Sequence, residues 1–159
     1  MERYTINDVS RISGFTTRTL RSYIDKGLLE GFKDGGVWYF DADKVGDFLG
    51  NPNVRPGITS KLNAQVFDFM LCGGREGNRA CVVLDLDVDQ EGSKRISSFF
   101  CDTMNHMEVS HIEADAGVDN GSCRARFFMQ RSGSRMRVVL SGEEEVVSKI
   151  MKAYYDSKQ

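Results

Sequence analysis

Residues 14–29 read GFTTRTLRSYIDKGLL, and the fold of this stretch decides how the first third of the chain is built. Gly14 and Gly27 bracket it, and both suit the left-handed backbone that ends a helix. Thr16 offers a hydroxyl to the free amides of the next turn, so a helix is expected to start there. Leu20 and Ile24, at i and i+4, point to a core. Upstream, Thr5 can cap an earlier helix, with Asp8 at the reciprocal capping-box position. Ile6, Val9 and Ile12 follow on one stripe before Gly14. Only Ser13-Gly14-Phe15 separates the two helices, short enough to force a sharp crossing, which is helix-turn-helix arithmetic.

In a helix beginning at Thr16, positions 17, 18, 21, 22 and 25 are expected opposite Leu20 and Ile24. Thr17, Arg18, Arg21 and Ser22 then form one exposed face near the helix N-terminus. That end favours phosphate through its dipole and free amides, and arginine can address guanine edges. The same pattern also describes an ordinary solvated face. Arg3, Arg11, Arg18, Arg21 and Lys26 face only Asp8 and Asp25 over residues 3–26, although the whole chain has a formal net charge of −2. The local excess suits a phosphate-facing surface.

Downstream, Asp34-Gly35-Gly36 predicts a hairpin turn leading into the aromatic run Val37-Trp38-Tyr39-Phe40. A short helix capped by Asp41 and burying Val45, Phe48 and Leu49 follows. The only two prolines, Pro52 and Pro56, lie in GNPNVRPG (50–57), where a domain boundary is expected. The expected organisation is a 1–50 domain, a 51–78 linker with an amphipathic helix, and a 79–159 domain. That helix, over 58–71, carries Ile58, Leu62, Val66, Phe69 and Met70 on its apolar stripe.

Residues 79–159 read strand, helix, three strands, helix. Val82, Leu84, Leu86 and Val88 alternate with Val83, Asp85 and Asp87, and Ile96, Phe99, Phe100, Thr103 and Met107 recur at helical spacing. A hairpin on Asn120-Gly121 would pair Val118 with Cys123, Ala116 with Ala125, Ala114 with Phe127 and Ile112 with Met129. It would also set Asp115 opposite Arg126. A hairpin on Gly133-Ser134 would pair Phe127 with Leu140 and Met129 with Val138, keeping the apolar face consistent. The last helix buries Val146, Val147, Ile150, Met151 and Tyr154. The expected fold class is α+β, with a winged helix-turn-helix and then a mainly antiparallel four-stranded sheet carrying two helices on one face. The other face, with Asp85, Asp87, His111, Glu113, Asp115, Arg124, Arg126, Phe128, Gln130 and Arg137, is expected to be open and charged.

The run YTINDVSRISGFTTRTLRSYIDKGLL (4–29), followed by Gly35-Gly36, Tyr39-Phe40 and a short helix, resembles the DNA-binding domain of MerR-type regulators and related excisionase-like winged domains. The resemblance covers residues 3–49 and is most specific at Thr17-Arg18-Thr19-Leu20-Arg21, Tyr23 and Lys26-Gly27-Leu28-Leu29. It implies that Thr17, Arg18 and Arg21 meet DNA from the recognition helix and that Tyr23 touches a phosphate. Two positions depart from the family pattern: Ser22 replaces an aromatic, and Trp38 replaces the wing arginine. A wing contact would then come from the Trp38 indole or from Lys33. The resemblance further implies an effector-sensing region after the wing, with a small molecule as one possible input.

Other chemistry is thin. Cys72, Cys81, Cys101 and Cys123 form no CxxC pair, which favours reduced thiols in a cytoplasm over disulfides or zinc. Asp85 and Asp87 project alike from one strand, as in magnesium sites, but solvated charges on an exposed sheet face that also carries arginines are the stronger reading. His106 and His111 have no adjacent nucleophile, and CGGREGN (72–78) reads as a linker. No cofactor, metal or catalytic residue is expected, and no membrane span. The expectation is a cytoplasmic, non-enzymatic regulator that binds double-stranded DNA as a homodimer, since one small module holds too few phosphates to bind tightly. The alternatives are a small enzyme or ligand-binding α+β domain with an attached helix-turn-helix, or an excisionase-like architectural protein.

Overall fold

The structure, a computed structural model, describes residues 3–71, 77–106 and 124–159. The first helix, α1 (Ile6–Ser13), starts from a capping box in which Thr5 and Asp8 satisfy each other's backbone, and stops at Gly14 with φ 75°. α2 (Thr17–Asp25) is capped by Thr16, whose hydroxyl accepts the Thr19 amide at 3.1 Å. Ahead of them stands a strand that sequence patterning did not suggest, β1 (Arg3–Thr5). It joins the hairpin of β2 (Phe32–Asp34) and β3 (Val37–Asp41) to give the antiparallel order β1-β3-β2. Gly35 and Gly36, at φ 56° and 83°, make the two-residue turn between β2 and β3.

α3 (Ala42–Gly50) buries Val45, Phe48 and Leu49 as expected, but the Asp41 side chain makes no cap bond. After four intervening residues α4 (Arg55–Leu71) begins, earlier than the expected Ile58. Pro56 sits in its first turn, where a missing N–H breaks no helical bond, so this proline starts the helix rather than interrupting it. Ile58 and Leu62 are fully buried, whereas Met70, assigned to the buried stripe, is exposed, as are Phe67 and Leu71.

The second half comprises β4 (Arg79–Asp87), α5 (Gln90–His106), β5 (Ala125–Ser132), β6 (Arg135–Glu143) and α6 (Glu144–Asp156). The sheet order is β4-β6-β5, antiparallel throughout. The Gly133-Ser134 hairpin closes in the expected register, Phe127 on Leu140 and Met129 on Val138. Three strands are described where four were expected, and the fourth, over 112–118, lies outside the described residues with its Asn120-Gly121 hairpin.

One face of this sheet packs on α5 and α6. Phe100 stacks on Phe127 at 5.7 Å and on Tyr154 at 5.5 Å, while Phe99 tilts against Tyr154 at 5.7 Å. The opposite face is not the open surface that its charges suggested. α4 lies across its β5 and β6 portion: Gln65 donates to the Ser141 hydroxyl at 2.7 Å, Arg55 to Ser132 at 2.8 Å, and Gln130 to Thr59. The polar residues there serve helix-to-sheet bonds, which period-2 patterning cannot distinguish from solvation. Among the described residues the β4 portion and the neighbouring end of β6 stay exposed, and there Arg137 of β6 pairs with Asp85 of β4 at 2.9 Å.

The helix-turn-helix half abuts β5, and side chains from both faces of that strand meet it. The Phe128 ring lies 3.3 Å from where a Cβ on Gly14 would stand. On the other face, Met129 lines a narrow cleft with Tyr4, Val45, Leu49, Ser97 and Met136, whose volume of about 20 Å³ holds about one water. Arg11 donates to Asn105 at 2.7 Å, and Lys94 of α5 pairs with Asp43 of α3 at 2.6 Å. Burial lifts the Tyr4 phenol and the Cys101 thiol well above their ordinary values, so both remain neutral between the halves. One apolar core runs from Tyr4 and Leu20 through Ile58 to Phe127 and Ile150.

The Lys94–Asp43 bridge gives a pH prediction. The Lys94 ammonium, hydrogen-bonded to Asp43, holds that carboxyl below its usual range. The folded group is the stronger acid, so its stabilisation is complete above the unfolded value of about 4 and is lost as pH falls through the folded one. Asp43→Asn should therefore melt slightly below wild type at about pH 6, and the two curves should converge near pH 2. A gap that persists in acid would mean the bridge is not its source.

Candidate nucleic-acid interface

The recognition candidate is the outward side of α2. Arg18, Arg21 and Ser22 are exposed there, and neither arginine has an ion pair among the described residues. Thr17 departs from expectation, being only 8% exposed. As the first residue of the helix it falls on the stripe of Leu20 and Ile24 (i, i+3, i+7), the side of α2 that turns inward. Its expected place on the exposed face was a misjudged helical phase.

Tyr23 is half-buried, its ring 5.4 Å from both Phe15 and Phe48, and these two rings lie 6.3 Å apart. This trio ties α2 to α3, and the Tyr23 carbonyl accepts the Leu28 amide at 2.9 Å. The hairpin presents the other two candidates together. Lys33 and Trp38 are register partners, with the ammonium 5.6 Å from the indole ring. The indole stacks on Phe40 at 6.1 Å, so the residue standing for the wing arginine is a platform that holds a lysine. Arg3 reaches the same sheet, lying over Phe32 at 5.1 Å and near Asp41 at 3.9 Å.

One cation escaped sequence reasoning. Lys61 of α4 is exposed, has no ion pair among the described residues, and its Cβ lies 3.1 Å from where a Gly14 Cβ would stand. It therefore borders the turn that leads into α2. Forty-seven residues separate it from Gly14, and no local signal joins them.

This geometry has a counterpart among known families. Residues 4–49 match the family described as MerR HTH family regulatory protein. This segment is a MerR-type helix-turn-helix. No curated protein and no solved structure matches the chain.

The MerR-type segment contains α1, α2, the hairpin and nearly all of α3, so α4 and the second half lie beyond the match. Elsewhere the chemistry is sparse. Among the described residues there is no group of three or more His, Cys, Asp or Glu side chains placed to hold a metal. Asp85 is held by Arg137. His106 bonds the Asp102 carbonyl oxygen at 2.6 Å through Nδ1. Cys81 is half-buried and Cys101 buried, while Cys72, Cys123 and His111 lie outside the described residues. No described helix is long and apolar enough to cross a membrane.

Proposed function

We propose that the chain is a DNA-binding transcriptional regulator of MerR type that works as a homodimer on double-stranded DNA. The observation that carries this is the pair of exposed arginines, Arg18 and Arg21, without ion pairs among the described residues, on the outward side of the capped helix of a MerR-type segment. Arg18, Arg21 and Ser22 face the groove, and Thr17 acts through its backbone at the helix start. Tyr23 sets the angle of α2, and Lys33, supported by Trp38, reaches a flanking phosphate. Residues 1–50 read DNA, 51–78 connect, and 79–159 provide dimerisation or effector sensing in a cytoplasmic, non-enzymatic protein.

The test is an anisotropy titration of labelled genomic duplexes at several salt concentrations. Affinity that falls linearly in log–log form with salt supports this function. No binding at about 50 mM salt, where phosphate contacts are strong, overturns it. Lys61 belongs to the same surface as a phosphate contact. Lys61→Ala should weaken every duplex alike by a few-fold and reduce the salt slope by about one. An unchanged slope would remove Lys61 from the interface.

A further inference from the structure

The second sheet ends at β4, a nine-residue strand without proline. Among the described residues nothing pairs with its outer edge. The direction of its backbone groups follows from two bonds that prolong the β4–β6 register at either end. Val88 N–H donates to Ser134 O at 2.8 Å, and Glu144 N–H to Asn78 O at 3.0 Å. Even-numbered residues of β4 thus face β6, and Arg79, Cys81, Val83, Asp85 and Asp87 turn their N–H and C=O groups outward. These five also share one sheet face, the half that α4 leaves uncovered. At its centre Val83 is 49% exposed. Four residues to either side stand Arg79 and Asp87, opposite in sign, neither with an ion pair among the described residues.

We propose that β4 pairs antiparallel with β4 of a second copy of this chain, on a two-fold axis at Val83. All five outward residues then enter hydrogen-bonded pairs, each exchanging two N–H···O bonds. Val83 meets Val83, Cys81 meets Asp85, and Arg79 meets Asp87 at both ends. A shift of two residues would set Arg79 against Asp85, which already holds Arg137, or in the other direction against Asp89 beyond the strand end, and either would shorten the ladder. The product is one six-stranded sheet, β5-β6-β4-β4-β6-β5. Its outer strands abut the helix-turn-helix halves, so assembly closes at two copies instead of growing along free edges. This deepens the dimeric part of the function proposed above and rests on that part alone.

The test is sedimentation of the full chain without DNA, so its result is independent of DNA binding. Wild type is expected to be a dimer. Arg79→Asp and Asp87→Arg each place like charges opposite one another and should weaken the dimer about tenfold or more. An equimolar mixture of the two should restore it, because every cross-copy pair is then of opposite sign. A wild type monomeric at about 100 µM, single variants that dimerise like wild type, or a mixture that stays monomeric would each overturn the pairing. Amide exchange needs no variant: the Val83 and Cys81 amides should be protected when the chain is concentrated and lose protection on dilution. A Val83 amide that exchanges freely in the dimer moves the interface elsewhere.

Discussion

Alanine at both Arg18 and Arg21 should lower affinity for duplex DNA about a hundredfold at moderate salt and flatten the salt dependence by about two. Both side chains are exposed, so their removal leaves no buried group unpaired. Alanine is also the better helix former, so α2 should not weaken. The loss then reports contacts with DNA and not damage to the fold. Discrimination between sequences should fall with affinity if either arginine meets a base edge, and stay level if both meet phosphate. A double variant that binds as wild type, with the same slope, would take the recognition role away from α2.

The second large effect is on stability. Phe100 is fully buried between Phe127 and Tyr154, and Phe100→Ala should cost about 3–5 kcal/mol. For a chain of this size that lowers the melting temperature by about 10 °C or more. The distinctive part is what melts. Trp38 is the only tryptophan and lies in β3, in the other half of the molecule. Because one core joins the halves, Trp38 emission and far-UV circular dichroism should shift together in the variant. A Trp38 transition that stays in place while the circular dichroism moves would show that the halves unfold separately.

What could be read from sequence was whatever is encoded locally. Thr5 with Asp8, Thr16, Gly14 and Gly27 mark helix ends within four residues of their partners, and the structure has each cap where it was expected. The Gly133 hairpin was legible because period-2 alternation leaves one register that keeps both faces consistent. β1 was not, since three residues carry no period and its partner is far along the chain, Arg3 opposite Asp41. The covered sheet face was misread for a similar reason: Gln130 and Ser141 are polar because α4 bonds them, and composition cannot name a partner 71 or 76 residues away. In the candidate interface, Arg18 and Arg21 followed from helical phase, and Thr17 shows how far one misjudged position reaches. Lys61 needed the tertiary fold, because only the packing of α4 against Gly14 brings it to α2.

The four residues Asn51–Val54 between α3 and α4 have a consequence for target choice. Regulators whose reading heads hang on long tethers accept operators with variable spacers, because the tether takes up the difference. Here the Val54 and Arg55 amides both bond the Asn51 carbonyl at 2.9 Å, and Phe15 packs against Gly57 just beyond the turn. That connection has no slack. For two copies on one operator, each added base pair rotates one half-site by roughly a tenth of a turn relative to the other, and the heads cannot follow it. For the proposed homodimer on two half-sites, a connection without slack sets their spacing, so an operator lengthened by a single base pair should bind more weakly.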